Sequence, residues 1–503
     1  MLPAMDELPT MGTKLPYLLT AAQMQAADAA TIASGASGYA LMQRAGEAVV
    51  RVIEQYYEQR PVLVLAGLGN NGGDGYIVAQ QLHAAGWSVR VASPGGELPQ
   101  TPDALRAAKT FQGRVEALSP ELISPQALIV DALFGTGLVR PITGELAAVV
   151  ERVNALRCAA VAVDIPSGVD ASTGVIHGVA IKAELTVAFA AKKRGHLLMP
   201  GLDYCGGVVV SDIGILVQEH AEPVYENTPE VWAEHLVWPQ RATHKYHRGH
   251  VAVMAGDEAV GASRLAALSA LRAGAGLCSL LCERERFDVY ASAALSLMVK
   301  ALDDGLEPFL MDERISTYVI GPGAGTLAKT RNRTLMITKA QRKAVIDADA
   351  LRVFSEAPAM LFSSIVAPAV LTPHEGEFAT LFANTSVDRT ADKLTRTQQA
   401  AVLAGATLVL KGADTVIAAP DGRAAISGSA PAWLATAGSG DVLAGCIAGF
   451  LAQGMPAFEA ACAGVWFHSQ AAQLFGPGLI AEDLPQQLPA VWQALQLSDI
   501  RTS

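Results

Sequence analysis

Cysteine is scarce in this sequence, six in 503 residues, at 158, 205, 278, 282, 446 and 462, and no two form a Cys-x-x-Cys pair. The chain therefore offers no paired-thiol motif, and structural thiols kept reduced in a cytoplasm are the expectation. Charge is also thin, at 17% of residues, and its balance is negative (net −11). No basic tract or Arg-Gly tail interrupts it, which argues against a nucleic-acid partner. An anionic ligand would have to be held by local groups rather than by the overall field. Long apolar runs are missing: no window reaches the roughly 18 uninterrupted residues of a membrane span. The opening "MLPAMDELPTMGTKLPY" carries Asp6 and Glu7 and lacks the charged-then-apolar pattern of a signal peptide. A soluble cytoplasmic protein with no membrane partner is expected.

What the chain has in plenty is glycine, 46 residues, and apolar side chains, 51%. That mixture suits tightly packed α/β layers with many turns. From about residue 20 the pattern alternates. "LTAAQMQAADAATIASG" and "YALMQRAGEAVVRVIEQYY" read as helices, "PVLVLAGLG" as a buried strand and "GYIVAQQLHAAG" as the helix after it. "SVRVAS", "ALIVDALFG", "CAAVAVDIPSG" and "AELTVAFA" continue as strands. Near-continuous apolar strands between helices predict a parallel, doubly wound sheet with helices on both faces. Alternation is lost over "PVYENTPEVWAEHLVWPQ" and resumes at "HVAVMAG", so a boundary is placed near 225, giving domains 1–225 and 226–503. The second α/β pattern is not a copy of the first.

In the first domain Gly67, Gly69 and Gly72 stand in a G-x-G-x-x-G register between strand and helix. A dinucleotide fingerprint also needs an acid at the end of the second strand to hold the ribose. That strand ends in Ser93, with no carboxylate there. The unusual part is "NNGGDG", where Asn70, Asn71 and Asp74 surround a glycine-rich turn opening a helix. Backbone N–H groups there suit phosphate, side-chain oxygens suit a hard cation, and a well-capped turn would need no ligand at all. Two further strand ends carry acids: Asp131 before a glycine turn that runs to Arg140, and Asp164 before Pro166, Ser167 and Gly168. Ligands in parallel sheets bind beyond the carboxyl ends of strands, so these three ends can converge on one site. Lys192 and Lys193 in "FAAKKRGHLLMPG" read as solvated surface, with phosphate contact as the alternative.

In the second domain "TAGSGDVLAGCIAGFLAQG" places Gly438, Ser439 and Gly440 before Asp441 at a helix start. Successive N–H groups there can cradle a phosphoryl group while Asp441 accepts a hydroxyl proton; a plainly capped helix is the alternative. "VLKGADTV" sets Lys411, Gly412 and Thr415 in a plausible nucleotide-phosphate loop, and "LTPHEGEF" sets His374 and Glu377 after another strand. "VIDADAL" could bring Asp347 or Asp349 near Mg2+, or serve only structure. His244, His247 and His250 are spaced three apart, but Gly249 and the lack of a partnering acid favour a basic loop over a metal site. The G-x-G-D, K-G-x-x-T and H-x-x-E elements together suggest a ribokinase-like fold.

These motifs carry a resemblance. "GNNGGDG", "DALFGTGLVRP" and "VAVDIPSGVDASTG" resemble, in order over about 20 to 215, the YjeF-type N-terminal domain of NAD(P)H-hydrate epimerases. The resemblance implies K+ held by Asn71, Asp131 and Ser167. It implies contacts to the hydrated nicotinamide cofactors NADHX and NADPHX from Asn70, Asn71, Gly72, Gly73 and Asp74, from Gly135, Thr136, Gly137, Leu138, Val139, Arg140 and Pro141, and from Asp164. Asp164 is assigned the proton relay to and from the substrate hydroxyl.

"GASRLAALSALRAGAGL", "VIGPGAG", "VIDADAL", "LTPHEGEF", "LVLKGADTV", "AGSGDVLAGCIAGFLAQG" and "GLIAEDLP" resemble the ADP/ATP-dependent NAD(P)H-hydrate dehydratases over about 240 to 490. This implies substrate contacts from Ala262, Gly323, His374 and Asp441. It implies that Lys411, Gly412, Ala413, Asp414, Thr415 and Gly440 bind ADP or ATP with Mg2+, and that Asp441 deprotonates the hydroxyl. "ALSLMVKAL" departs from the family where Ser296 and Leu297 replace polar groups, and "HKYHRGH" departs at the domain entry. Relatives imply a homo-oligomer with dimeric epimerase and tetrameric dehydratase contacts. Two other classes compete: a ribokinase-like kinase of vitamin-like alcohols with a Rossmann-like appendage, and a YjeF-type binding module of the kind found in RNA-decay scaffolds. Asn71, Asp131 and Asp164 together, and the negative charge, argue against the last.

Overall fold

The computed structural model describes residues 15–218, 220–292, 295–428 and 430–502, with side chains up to 497. The stretch weighed above as a signal peptide lies almost wholly outside them. Residue contacts divide the chain into two compact units, one spanning Tyr17–Ala221 and the other Glu222–Ser503. Among the described residues no helix is long and apolar enough to cross a membrane.

The first unit is built on strands β1 (Val62–Ala66), β2 (Val89–Ser93), β3 (Val115–Ala117), β4 (Leu128–Ala132), β5 (Ala160–Val163), β6 (Leu185–Phe189) and β7 (Gly207–Ser211). They form one sheet in the order 3-2-1-4-5-6-7, and every pairing is parallel. Val64 pairs with Val91 on one side and Val130 on the other, and all of β1, β4, β5 and β6 is buried. Burial on both faces explains why these strands read as continuous apolar runs. Helices Gly38–Tyr56 and Asn70–Ala84 cover one face through Val49, Ile53, Tyr76 and Val78, and Gly144–Ala155 covers the other through Val149, Val150 and Val153. The strand order reverses between β1 and β4, so a crevice opens beyond their carboxyl ends.

The segment expected to be a glycine turn is instead the first turn and a half of a helix, which begins at Asn70 with Gly69 as its cap. The reason is close packing. A carbon added at Gly72 would sit 1.9 Å from the carbonyl oxygen of Gly67, so only glycine lets the helix start this tightly against the end of β1. The short strands β3 and β7 carried too little pattern to be read from sequence.

The second unit holds β8 (Val224–Glu226), β9 (His250–Met254), β10 (Leu277–Cys282), β11 (Met298–Ala301), β12 (Thr317–Ile320), β13 (Lys343–Ile346), β14 (Ala369–Leu371), β15 (Thr407–Leu410), β16 (Thr415–Ala418) and β17 (Ala424–Ser427). The sheet order is 11-10-9-12-13-14-15-16-17-8. Pairings are parallel except β15 with β16 and β16 with β17. The stretch "ATLVLKGADTVIAAP" is a hairpin whose tip is residues 411–414, so the loop expected around Lys411 joins two antiparallel strands. Strand β8 lies at the sheet edge against β17, in a segment where three prolines hid it. Helix Ser439–Ala452 is buried along its whole length after Asp441 and packs on helices Val260–Arg272 and Ala457–Phe475. A helix apolar on all sides belongs inside a domain. His250 is not in a basic loop: it lies buried in β9, 2.8 Å from Ser279 Oγ, while His244 and His247 stack on each other before it.

Candidate active sites

Beyond β1 and β4 of the first unit lies a cavity of about 700 Å³. Asn70, Asn71, Asp74, Gly135, Thr136, Gly137, Leu138, Arg140 and Asp164 line it. Of the other residues expected to touch substrate, Gly72 and Gly73 are buried against neighbouring chain, and Val139 and Pro141 point to solvent. Sequence reasoning missed Asp28, Asp103 and an apolar wall of Met24, Met42, Phe189 and Ile213. These residues are far apart in the chain and only the fold gathers them.

Asp131 ends β4 and is fully buried. Its Oδ1 accepts from Ser167 Oγ at 2.5 Å and its Oδ2 from the Ser167 N–H at 2.7 Å. Burial pushes its carboxyl up to about 6, against the pull of those bonds, and no lysine or arginine among the described residues pairs with it. Asn71 stands beside Gly135, and its amide nitrogen is buried without a partner. Asp131 and Ser167 are thus bonded to each other and accept from the N–H groups of Leu133 and Phe134, which line the cavity.

Asp164 follows β5 in a left-handed conformation, φ +66°, unusual for a residue with a side chain. Its carboxylate is ion-paired with Lys193 and accepts from the Phe189 N–H at 3.2 Å. Lys193 was expected at the surface; its side chain is completely buried, with Nζ also donating to the Phe189 carbonyl at 3.2 Å. The correction has a simple cause. A buried ammonium is tolerable once a carboxylate meets it, and that partner is too far away in sequence to be seen there. Lys192 is half-buried. His196, also wholly buried, lies 2.9 Å from the Asp164 carbonyl; burial, aided by Lys193, keeps it well below the usual imidazole range, hence neutral.

In the second unit the centre is Lys411 at the β15–β16 hairpin tip. Its Nζ donates to Asp347 Oδ1 at 2.9 Å and lies 3.9 Å from Glu377 Oε2. Gly440 is its neighbour: a carbon added there would be 3.4 Å from Lys411 Nζ. Asp441 is the next residue. Burial, with Asp347 nearby, pushes its carboxyl up to about 7 although Lys411 opposes the shift. Gly438 takes a left-handed φ of +92° and turns the chain into the helix, against Leu265 of the helix that carries Ala262. His468, buried and held down to about 4, lies 2.9 Å from the Ser439 carbonyl. Sequence gave no hint of this brace, which comes from the following helix.

His374 caps helix Glu375–Leu381. Its Nδ1 accepts from the N–H groups of Gly376 and Glu377, while Glu377 Oε2 accepts from the His374 N–H at 2.9 Å. Its side chain is otherwise 58% exposed, so it is not a core histidine. Gly323, φ +63°, accepts from the N–H groups of Glu258 and Ala259 just before the Ala262 helix. Thr415 Oγ1 closes the hairpin tip on Gly412, Ala413 is exposed, and the Asp414 carboxylate is already paired with Lys393 at 2.6 Å. Asp349 accepts from the Gly325 N–H at 2.9 Å, so both acids of "VIDADAL" are engaged by protein donors. Ser296 is exposed and Leu297 buried.

Comparisons with known proteins follow the same division. The family described as YjeF-related protein N-terminus matches residues 38–195, and the one described as NAD(P)H-hydrate dehydratase matches residues 251–490. The bifunctional NAD(P)H-hydrate repair enzyme of Moorella thermoacetica is 35% identical over 95% of this chain and 97% of its own. That of Escherichia coli is 34% identical over 90% and 88%. Among solved structures, the ADP/ATP-dependent NAD(P)H-hydrate dehydratase of Bacillus subtilis, co-crystallized with ATP/Mg2+, is 26% identical over 51% of this chain and 94% of its own, with a TM-score of 0.46.

Proposed function

The chain belongs to the family of bifunctional NAD(P)H-hydrate repair enzymes, and from that premise we propose which residues of each unit do the work. The first unit interconverts the R and S hydrates of NADH and NADPH; the second dehydrates the S form. The boundary, expected near 225, is set at Glu222 so that β8 stays with the second activity.

In the first unit the substrate takes the cavity lined by Asn70, Asn71, Asp74, Gly135–Leu138 and Arg140. Asp164, at its wall, accepts and returns the hydroxyl proton while a bond at C6 breaks and reforms. K+ fits Asn71, Asp131 and Ser167. They offer amide, carboxylate and hydroxyl oxygens, the donors a hard cation takes, and Asp131 is a buried carboxylate with no cationic partner among the described residues. The ion supplies fixed positive charge beside the cavity.

In the second unit Lys411 and the N–H groups from Gly440 onward hold the phosphates of ADP or ATP, with Mg2+ as companion. Ala262, Gly323 and His374 contact the hydrated nicotinamide. Asp441 takes the C6 hydroxyl proton as its oxygen receives the phosphoryl group. The ring nitrogen's electrons then expel phosphate, and loss of a C5 proton to solvent from the resulting iminium restores the reduced nicotinamide, leaving AMP or ADP. The observation that carries this reading is Asp441, a carboxyl poised at about 7 beside Lys411 at a glycine-rich helix start. A proton acceptor is best matched to its task when it titrates near the working pH. A cytoplasmic homo-oligomer, with dimeric and tetrameric contacts in the respective units, completes the reading; six free, buried thiols support the reducing compartment.

The test supplies the intact protein with mixed R and S NADHX and ADP, and follows the return of reduced-nicotinamide absorbance. Full recovery in two phases is expected, with Asp164→Asn stopping it at the S fraction. No recovery with ADP or with ATP would remove the reading.

A further inference from the structure

Of the four carboxylates that line the first unit's cavity, two, Asp164 and Asp74, have sharply different surroundings. Behind Asp164 stands Lys193, completely buried and ion-paired with it. An ammonium taken out of water needs an anion fixed beside it, so this lysine holds the Asp164 carboxylate in one place. The backbone is fixed as well. The Lys193 N–H donates to His196 Nδ1 at 2.9 Å, which leaves the proton on Nε2, 2.9 Å from the Asp164 carbonyl it serves. Lysine and histidine from one short segment thus grip the side chain and the carbonyl of a residue in a left-handed conformation. A strained backbone of this kind persists only where its surroundings over-determine it.

Asp74, from helix Asn70–Ala84, has no cationic partner among the described residues. The other charged groups lining the cavity are Asp28, Asp103 and Arg140. Burial, with Asp164 and Asp28 close by, holds the Asp74 carboxyl well above the usual range.

We propose that Lys193 is a positioning residue that divides labour between the two cavity carboxylates, fixing Asp164 as the charged proton acceptor and leaving Asp74 as the neutral proton donor. The inference rests on the epimerase reading and adds the acid to its base. The hydroxyl of the hydrate gives its proton to Asp164 as C6=O forms. The C6–N1 pair leaves to the ring nitrogen, which takes the proton of Asp74. Rotation about C5–C6 turns the other carbonyl face to the nitrogen. Attack of N1 on that face returns its proton to Asp74, and the new hydroxyl recovers its proton from Asp164. No oxidant or further reactant is needed. Opposite environments for paired acids are a general way to obtain an acid and a base from one residue type.

The test uses the intact protein, mixed NADHX and ADP, with the slow second phase reporting epimerisation and the fast first phase serving as an internal control. Absence of the slow phase in the unaltered protein would defeat the epimerase reading itself. Where that phase is present, Lys193→Met should lower its kcat by about 100-fold or more with little change in KM. Lys193→Arg should restore much of that loss. Asp74→Asn, at the cavity surface, should lower kcat by at least about tenfold and remove the alkaline limb of the profile. Two results would overturn the proposal: an Asp74→Asn enzyme with the unaltered rate and profile, or a folded Lys193→Met enzyme that keeps the unaltered kcat. If Lys193→Met does not fold, Asp74→Asn alone decides.

Discussion

Asp441 is asked to be charged where the fold prefers it neutral. Its carboxyl sits at about 7, so the dehydratase phase should fade as pH falls below that point, about tenfold per unit once well under it. Asp441→Asn should reduce kcat by about 100-fold or more at any pH. The same displacement has a stability consequence. A carboxyl raised in the folded state contributes fully below its unfolded value, and that contribution is lost as pH rises through the folded one. Asp441→Asn should therefore raise the unfolding temperature of the protein at about pH 8 and leave it nearly unchanged at about pH 4, read by thermal melts in the two buffers. Individual residues were also where the sequence was least legible. The acids at strand ends announced themselves, because chain position alone puts Asp131, Asp164 and Asp347 at the ends of strands and Asp441 in the first turn of a helix. Lys193 and His468 did not. Each matters through a partner 29 residues away, and nothing local distinguishes them from surface or core.

For elements, the apolar strands were legible because burial on both faces removes all polar alternation. The helix after β1 was half legible. Its apolar part read as helix, while its start read as a turn, since glycine and asparagine favour turns when nothing else is known. Packing decided the matter, and packing can be tested. Gly72→Ala would drive a carbon to 1.9 Å from a backbone oxygen that cannot swing away. It should cost about 3 kcal/mol or more, seen as a fall in the urea midpoint of the first unit. Gly137, in the cavity lining, has nothing within 4 Å of the added carbon, and Gly137→Ala should change stability by no more than about 0.5 kcal/mol. The loop carrying Lys411 was legible because Lys, Gly and Asp interrupt two apolar runs; the antiparallel pairing of those runs was not, since both arms are wholly buried and read alike.

The molecule as a whole joins two α/β units, and the feature that marks their join is β8. This three-residue strand is the first element of the second unit, yet it lies at the far edge of the sheet, covering β17, whose four residues are all buried. Anyone cutting the gene in two meets the consequence. A fragment begun at Glu222 keeps β8 and should run as a single species on a sizing column while retaining the dehydratase phase. A fragment begun at Asn227, only five codons later, bares the ladder of β17 to any other copy in solution. That fragment should precipitate or form broad, concentration-dependent aggregates. The few residues that look like a tether between two enzymes are, for one of them, the selvedge that keeps its sheet from fraying into its neighbours.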